Sequence, residues 1–276
     1  MSPLFSIVIA NYNHGAFLED AIRSLRDQSC QDFELIIVDG GSTDNSVEVI
    51  RKYSEHIAWW CSEKDSGQSD AFNKGFARAK GLWGCWLNAD DLMMPHALQA
   101  VKEVIASRPH AEWVSGGTVF CDARMNVLWC SRCLPHLPFI TRRIPVLNVN
   151  GPSSFFKLPR LREAGGFDTR LHFVMDLDLW MRFFNAGMQV HYIPHYLWAF
   201  RVHALSKTSF ALEPTLSPNT NNETNLLFER YNRNARQDNI VYRFVQLIKL
   251  LSGAYLLSYL DTKRYRGKHI SSFRLL

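Results

Sequence analysis

Residues 33–42, Phe33-Glu-Leu-Ile-Ile-Val-Asp39-Gly40-Gly41-Ser42, decide the fold. Phe33–Val38 is a mostly apolar run rich in β-branched side chains, the pattern of a buried strand. An acid, two glycines and a serine then stop it. Upstream, Leu4–Ala10 reads the same way and ends in Asn11-Tyr12-Asn13. Downstream, Trp83–Leu87 ends in Asn88-Ala89-Asp90-Asp91. Phe17, Leu18, Ala21, Ile22 and Leu25 place a helical face between the first two strands. A second helix follows Ser42, with Asp44 near its start and Val47, Ile50 and Tyr53 inward. Strand alternating with helix predicts a parallel α/β sheet, whose ligands bind beyond the carboxyl ends of the strands. One polar cluster there is ordinary loop chemistry; three at the same edge make a site.

Further along, Ala97, Leu98, Val101, Val104 and Ile105 predict a helix, and a hairpin-like stretch surrounds Gly116-Gly117 and Asp122–Asn126. Gly165-Gly166-Phe167-Asp168 precedes a predicted helix over Asp176–Ala186, stopped by Gly187. Residues 213–225 are polar with two prolines and read as a linker. Helical patterns resume from Leu226 to about Leu260.

The chain has 276 residues, 47% hydrophobic and 21% charged, enough for one large domain or two small ones and unlike a disordered or disulfide-stapled chain. No basic n-region opens it, and no run of about 18 uncharged apolar residues predicts a spanning helix. Six scattered cysteines fit a reduced, cytoplasmic protein. Net charge is +5, but residues 229–276 carry +7 and the rest −2. A basic tail on a mildly acidic body suits an anionic partner or a solvated helix face.

Asp90 and Asp91 suit a hard divalent cation, which binds through one or two carboxylates plus substrate phosphates; a helix N-cap is the plain alternative. Glu63–Gly75 packs Asp65, Asp70, Asn73 and Lys74 between two strands. Asp176 and Asp178 open the predicted helix, and Arg201-Val-His203 to Lys207 ends a strand with two cations and an imidazole, suited to a diphosphate. Cys130-Ser-Arg-Cys133 lacks the second ligand pair a zinc site needs. Neither a Walker loop nor Gly-x-Gly-x-x-Gly follows the first strand, which argues against ATPase and dehydrogenase chemistry.

Taken in order, these motifs resemble those of family 2 glycosyltransferases, over about residues 4–208. The resemblance implies a GT-A fold: an α/β, Rossmann-like nucleotide-diphospho-sugar transferase unit, here with a helical C-terminal extension. Residues 1–212 would form the catalytic domain, 1–95 its nucleotide-binding half and 96–212 its acceptor-binding half, with 213–225 a linker and 226–276 a basic amphipathic extension. Val38-Asp39-Gly-Gly-Ser-Thr-Asp44 is similar to the family's nucleotide-base motif, which implies that Asp39 contacts uracil. Asn88-Ala-Asp90-Asp91 looks like its metal motif, with Asp91 the Mn²⁺ or Mg²⁺ ligand and Asp90 beside the donor. Met175-Asp176-Leu-Asp178-Leu-Trp180 looks like its catalytic-base motif, Met175 standing where many members carry a second acid. Arg201, His203 and Lys207 would hold diphosphate and metal. Ala10, Asn11, Tyr12, Asn13, Asp65, Asp70, Asn73 and Lys74 complete the expected donor site.

The family's processive Gln-x-x-Arg-Trp string is absent, which implies one sugar per acceptor. The expected donor is a UDP-sugar, the acceptor a saccharide or lipid-linked saccharide of bacterial surface polysaccharide, and no nucleic acid is implied. A sugar-phosphate nucleotidyltransferase would need a glycine-rich, arginine-containing phosphate loop near its N-terminus, which is missing. A catalytically inactive binding module is at odds with the intact Asp39, Asp91 and Asp176. Residues 240–260 present a broad apolar face, with a basic run at 263–268. They read as an interfacial helix at the inner face of the cell membrane, a core helix, or a homodimer contact.

Overall fold

The computed structural model describes residues 2–133, 149, 151–204, 206, 218–231, 243–244 and 246–273. Its strands are β1 (Phe5–Asn11), β2 (Phe33–Asp39), β3 (Trp59–Ser62), β4 (Trp83–Asn88), β5 (Leu92–Met93), β6 (Trp113–Asp122), β7 (Val127–Ser131), β8 (Ser154–Lys157) and β9 (Val190–Val202). They form one nine-stranded sheet, ordered β3-β2-β1-β4-β8-β6-β9-β5, with β7 paired to β6. The first four are parallel: the three apolar runs read from sequence are β1, β2 and β4, and β3 is an addition the sequence reading did not contain. Strand β8 joins β4 antiparallel to begin a mixed second half.

Register does the positioning. Asn11 lies opposite Asp39, Asp39 opposite Ser62, and Ala10 opposite Asn88. The polar residues that stop each strand therefore stand in one row at the carboxyl edge.

Helices cover both faces. On one, α1 (Gly15–Arg26) buries Leu18, Ala21, Ile22 and Leu25, beside α2 (Ser46–Lys52) and α4 (Ala97–Ser107). On the other, α3 (Gln68–Arg78), α5 (Leu158–Glu163) and α6 (Met175–Asn185) close a core dense in aromatics. Gly75 lets α3 close on β1: a Cβ there would lie 2.4 Å from a Val8 methyl. The Trp180 ring of α6 stacks between Trp86 at 5.3 Å and Trp113 at 4.9 Å. Gly187, at φ +79°, follows the helix end as expected.

The C-terminal region departs from the expected layout. Of the stretch read as a linker, 213–217 lie outside the described residues, and 218–225 belong to helix α7 (Pro218–Arg230). Proline fits the first helical turn, and Leu227, Glu223 and Arg230 all find partners on the catalytic body. Residues 232–242 and 245 of the next predicted helix lie outside the described residues, and 246–251 are helical. Gly253, at φ +73°, then separates them from α8 (Ala254–Tyr265). The longer apolar helix read from sequence is thus broken. Ile248 is buried in the core, whereas Leu251 is exposed.

Helix α8 is seated on β7. Asp261 meets Arg132 at 2.7 Å and accepts the Tyr196 hydroxyl at 2.6 Å. Beyond it, the backbones of Val127 and residues 267–268 exchange hydrogen bonds, and Tyr265, Ile270 and Phe273 join the core.

Candidate active site

A cavity of about 710 Å³ opens beyond the strand ends. Part of its lining is the row at the strand ends: Ala10, Asn11 and Tyr12 at and after the end of β1, Gly40 and Gly41 after β2, Lys64 and Asp65 after β3, and Asn88 and Asp90 at and after β4. Aromatic residues Trp86, Phe173, Trp198 and Phe200 and the expected base Asp176 also line it.

Asp39 sits directly before Gly40, fully buried. Burial works to raise its pKa, but hydrogen bonds from Ser42, Ser62 and Asn11 prevail and hold its carboxyl below the usual range. With those bonds satisfied, the groups that reach the cavity there are the Gly40 and Gly41 backbones rather than the Asp39 carboxylate expected to meet uracil. A Cβ on Gly40 would lie 2.8 Å from Asp65 Oδ2, so any larger residue there would displace the Asp65 carboxylate. Asn11 Nδ2 donates to Asp39 at 2.6 Å, while its buried Oδ1 has no protein partner among the described residues. Asn13, in the left-handed region at φ 54°, ties the first loop to the second through Ser42 and Thr43.

The adjacent acids separate. Asp90 lines the cavity, and its Oδ2 is 3.1 Å from His203 Nε2. Asp91 is fully buried: Oδ1 accepts the Arg201 amide at 2.9 Å, and Oδ2 accepts Asn88 Nδ2 at 2.8 Å. Burial, then the Asp90 charge, pushes its carboxyl pKa well up. The expectation that Asp91 is the direct ligand and Asp90 the donor contact is thus at odds with this placement, which gives the cavity to Asp90. Helix α4 begins after His96, and no side chain caps it, so the N-cap alternative for this pair fails.

Several other expected donor residues work in the scaffold. Asp70 and Lys74 pair with each other at 3.5 Å, and Lys74 also meets Glu63 at 3.1 Å. Asn73 bonds both the amide and the carbonyl of Phe167, holding the loop that leads to α6. Arg201 is buried, pairs with Asp20 at 3.0 Å and stacks over Phe17. Lys207 lies outside the described residues.

Asp176 stands in the first turn of α6 on the cavity wall. The Leu177 amide donates to its Oδ1 at 2.7 Å, and burial raises its pKa above the ordinary carboxylate value. Met175 packs beside it, its sulfur receiving the Ser69 hydroxyl at 3.0 Å. Asp178 is fully buried and spoken for by Arg182, Arg230 and the Tyr231 hydroxyl.

Sequence reasoning passed over His172, Phe173 and Glu223. One Glu223 carboxylate accepts the successive amides of His172, Phe173 and Val174 at 2.8–3.2 Å, just ahead of Asp176. His172 and Phe173 line the cavity. No local pattern flags this contact, which spans about 50 residues between α7 and the loop.

A parallel half-sheet with nucleotide-sized space at its edge, joined to a mixed half-sheet, defines a GT-A-type fold. Solved structures agree on the fold: Staphylococcus aureus TarS 1–349 in complex with UDP-GlcNAc (16% identity, TM-score 0.59, 79% of this chain and 62% of that one). A second is the mannosyltransferase PcManGT of Pyrobaculum calidifontis in complex with GDP-Man and Mn²⁺ (19%, TM-score 0.58, 76% and 60%). Residues 6–129 match the family profile described as Glycosyl transferase family 2. An uncharacterized glycosyltransferase of Rickettsia prowazekii is 26% identical over 223 residues, 76% of this chain and 68% of that one. A PGL/p-HBAD biosynthesis glycosyltransferase of Mycobacterium tuberculosis is 28% identical over 197 residues, 70% and 74%. The chain spans about three fifths of the two solved chains. Residues 6–129 thus carry a domain of the family 2 glycosyltransferase type, and the relatives that match over most of the chain are named glycosyltransferases.

Proposed function

We propose that the chain moves one sugar from a nucleotide-diphosphate sugar, a UDP-sugar, to a hydroxyl of a saccharide or lipid-linked saccharide, with inversion, in bacterial surface-glycan synthesis. The observation that carries this reading is one cavity lined by both Asp90, whose carboxylate meets His203, and Asp176. The nucleotide would lie along the polar row, with exposed Tyr12 against the base and the unpartnered Asn11 Oδ1 offering an acceptor to an imide N–H. Asp90 and His203 suit Mn²⁺ or Mg²⁺: an oxygen and a nitrogen donor, with the remaining positions left to phosphate and water. Such an ion, when bound, would offset charge developing on the leaving diphosphate.

Asp176 then acts as general base. Its carboxylate takes the acceptor hydroxyl's proton as that oxygen attacks the anomeric carbon from the face opposite the diphosphate, which inverts the configuration. The aromatic wall of Trp86, Phe173, Trp198 and Phe200 offers sugar rings apolar faces and keeps the base dry. Relatives named PGL/p-HBAD biosynthesis glycosyltransferase and solved neighbours bound to UDP-GlcNAc and GDP-Man support glycosyl transfer from a nucleotide-sugar donor.

Thermal stabilisation by a panel of nucleotide sugars, with and without Mn²⁺, tests the donor site. A ligand at 100 times its Kd adds about 2.7 kcal/mol. Asp90→Asn and His203→Ala should each lose the Mn²⁺-dependent part of UDP binding. Full metal dependence in both variants would remove them from the metal site.

A further inference from the structure

We propose that the C-terminal helices form a docking face for an anionic phospholipid bilayer, oriented to present a lipid-linked acceptor to the cavity; the acceptor clause rests on the function proposed above. Helix α8 has one side packed on the fold and one large apolar side left exposed. At 100° per residue, Ala254, Ser258, Asp261 and Tyr265 fall on one side, which packs on β7. Leu256, Tyr259 and Leu260 fall on the opposite side, and all three are exposed, Leu256 by 61% and Tyr259 by 63%. The preceding turns repeat the arrangement: Ile248 is buried, whereas Leu247, Leu250 and Leu251 are exposed, Leu251 by 77%. A monomeric protein in water rarely leaves so many large apolar side chains together uncovered.

Charge selects the occupant. Arg243, Lys263, Arg264, Arg266 and Lys268 are exposed around these leucines, and the sole acid within 243–273, Asp261, is buried against Arg132 and Tyr196. A second copy would bring the same cations against its own. Anionic headgroups neutralise them while the leucines enter the acyl boundary.

The attachment is rigid and near the site. Strand β9 carries Tyr196, which bonds Asp261 of α8, and two and four residues on it carries Trp198 and Phe200, which line the cavity. At about 3.3 Å per residue, the docking face and the aromatic wall are tied to points within roughly 15 Å along one strand. A lipid-linked saccharide could keep its tail in the bilayer and its sugar at Asp176.

Co-sedimentation of the full chain with phosphatidylcholine vesicles, with and without phosphatidylglycerol, tests this. Binding should require phosphatidylglycerol and weaken about fivefold for each charge removed among Lys263→Ser, Arg264→Ser, Arg266→Ser and Lys268→Ser. Leu250→Ser with Leu251→Ser and Leu256→Ser, all at exposed positions, should abolish the binding that survives high salt. Equal binding to both vesicle types, or to neither, overturns the proposal. So does a dimer in sedimentation velocity that the leucine variants dissolve. UDP-induced stabilisation should persist in every variant, since none lines the cavity. Vesicle binding without any nucleotide binding by the unmodified chain would sink the transfer reading and leave the docking face standing.

Discussion

Two observations support the general-base role proposed for Asp176: a carboxyl whose pKa burial raises, and a place in the lining of the cavity. Because burial raises its pKa, the carboxylate becomes protonated, and useless as a base, at higher pH than an ordinary aspartate. The kcat/KM profile should therefore fall as pH drops through a value above about 4. Asp176→Asn should keep UDP binding, cost transfer about 10²–10⁴-fold and erase that acid limb. An unchanged limb in the variant would assign it to another group. Asp178 offers no substitute, since Arg182, Arg230 and Tyr231 hold it. At this scale the motifs pick out residues of which several line one cavity, but they carry no information on the division of labour among them. Asp90 and Asp91 are the same residue type side by side. What separates them is the Arg201 amide, arriving from 110 residues away to claim Asp91.

Helix α7 gives the element scale its lesson. Residues 218–225 have no apolar stripe, and so read as a linker, yet they are helical because their partners are charges rather than a core. Glu223 gathers three amides at the head of α6, and Arg230 bridges Asp168 and Asp178 at 3.0 and 2.7 Å. The helix thereby braces the turn that carries Asp176. Glu223→Ala should leave UDP binding intact and lower kcat rather than raise the donor KM. A rise in donor KM at constant kcat would show instead that α7 serves the nucleotide. On the other side of α6, Trp180 fills the gap between Trp86 and Trp113. Trp180→Ala should cost about 3–5 kcal/mol and lower Tm by roughly 6–20 °C in a denaturation scan.

For the whole molecule, the question is how firmly the C-terminal region belongs to the catalytic body. The Arg132–Asp261–Tyr196 cluster, with Tyr265 and Phe273 stacked at 4.2 Å behind it, makes α8 part of the fold. Asp261→Ala would strand a part-buried guanidinium and a buried hydroxyl, at a cost of about 3 kcal/mol. Limited proteolysis should then release the C-terminal segment before the sheet opens. Simultaneous loss of both would instead show one cooperative unit.

The sequence by itself determined three of the four strands of the parallel half-sheet, because five-to-seven-residue apolar runs ended by polar clusters have few other solutions in an α/β chain. The four-residue β3 is shorter than such a run. It also located the site, since the strand ends that stop those runs are where such sheets bind ligands. Tertiary structure decided which side chains face the cavity. Whether Asp39, Asp91, Asn73 or Arg201 points inward or out depends on the hydrogen-bond partners that distant segments deliver, and local spacing carries no record of them. It also decided the fate of the C-terminal helices. The sequence pattern suggests that the leucine-bearing side of α8 is the one that packs inward, whereas the polar contacts of Ser258, Asp261 and Thr262 seat the other side on β7 and leave the leucines uncovered.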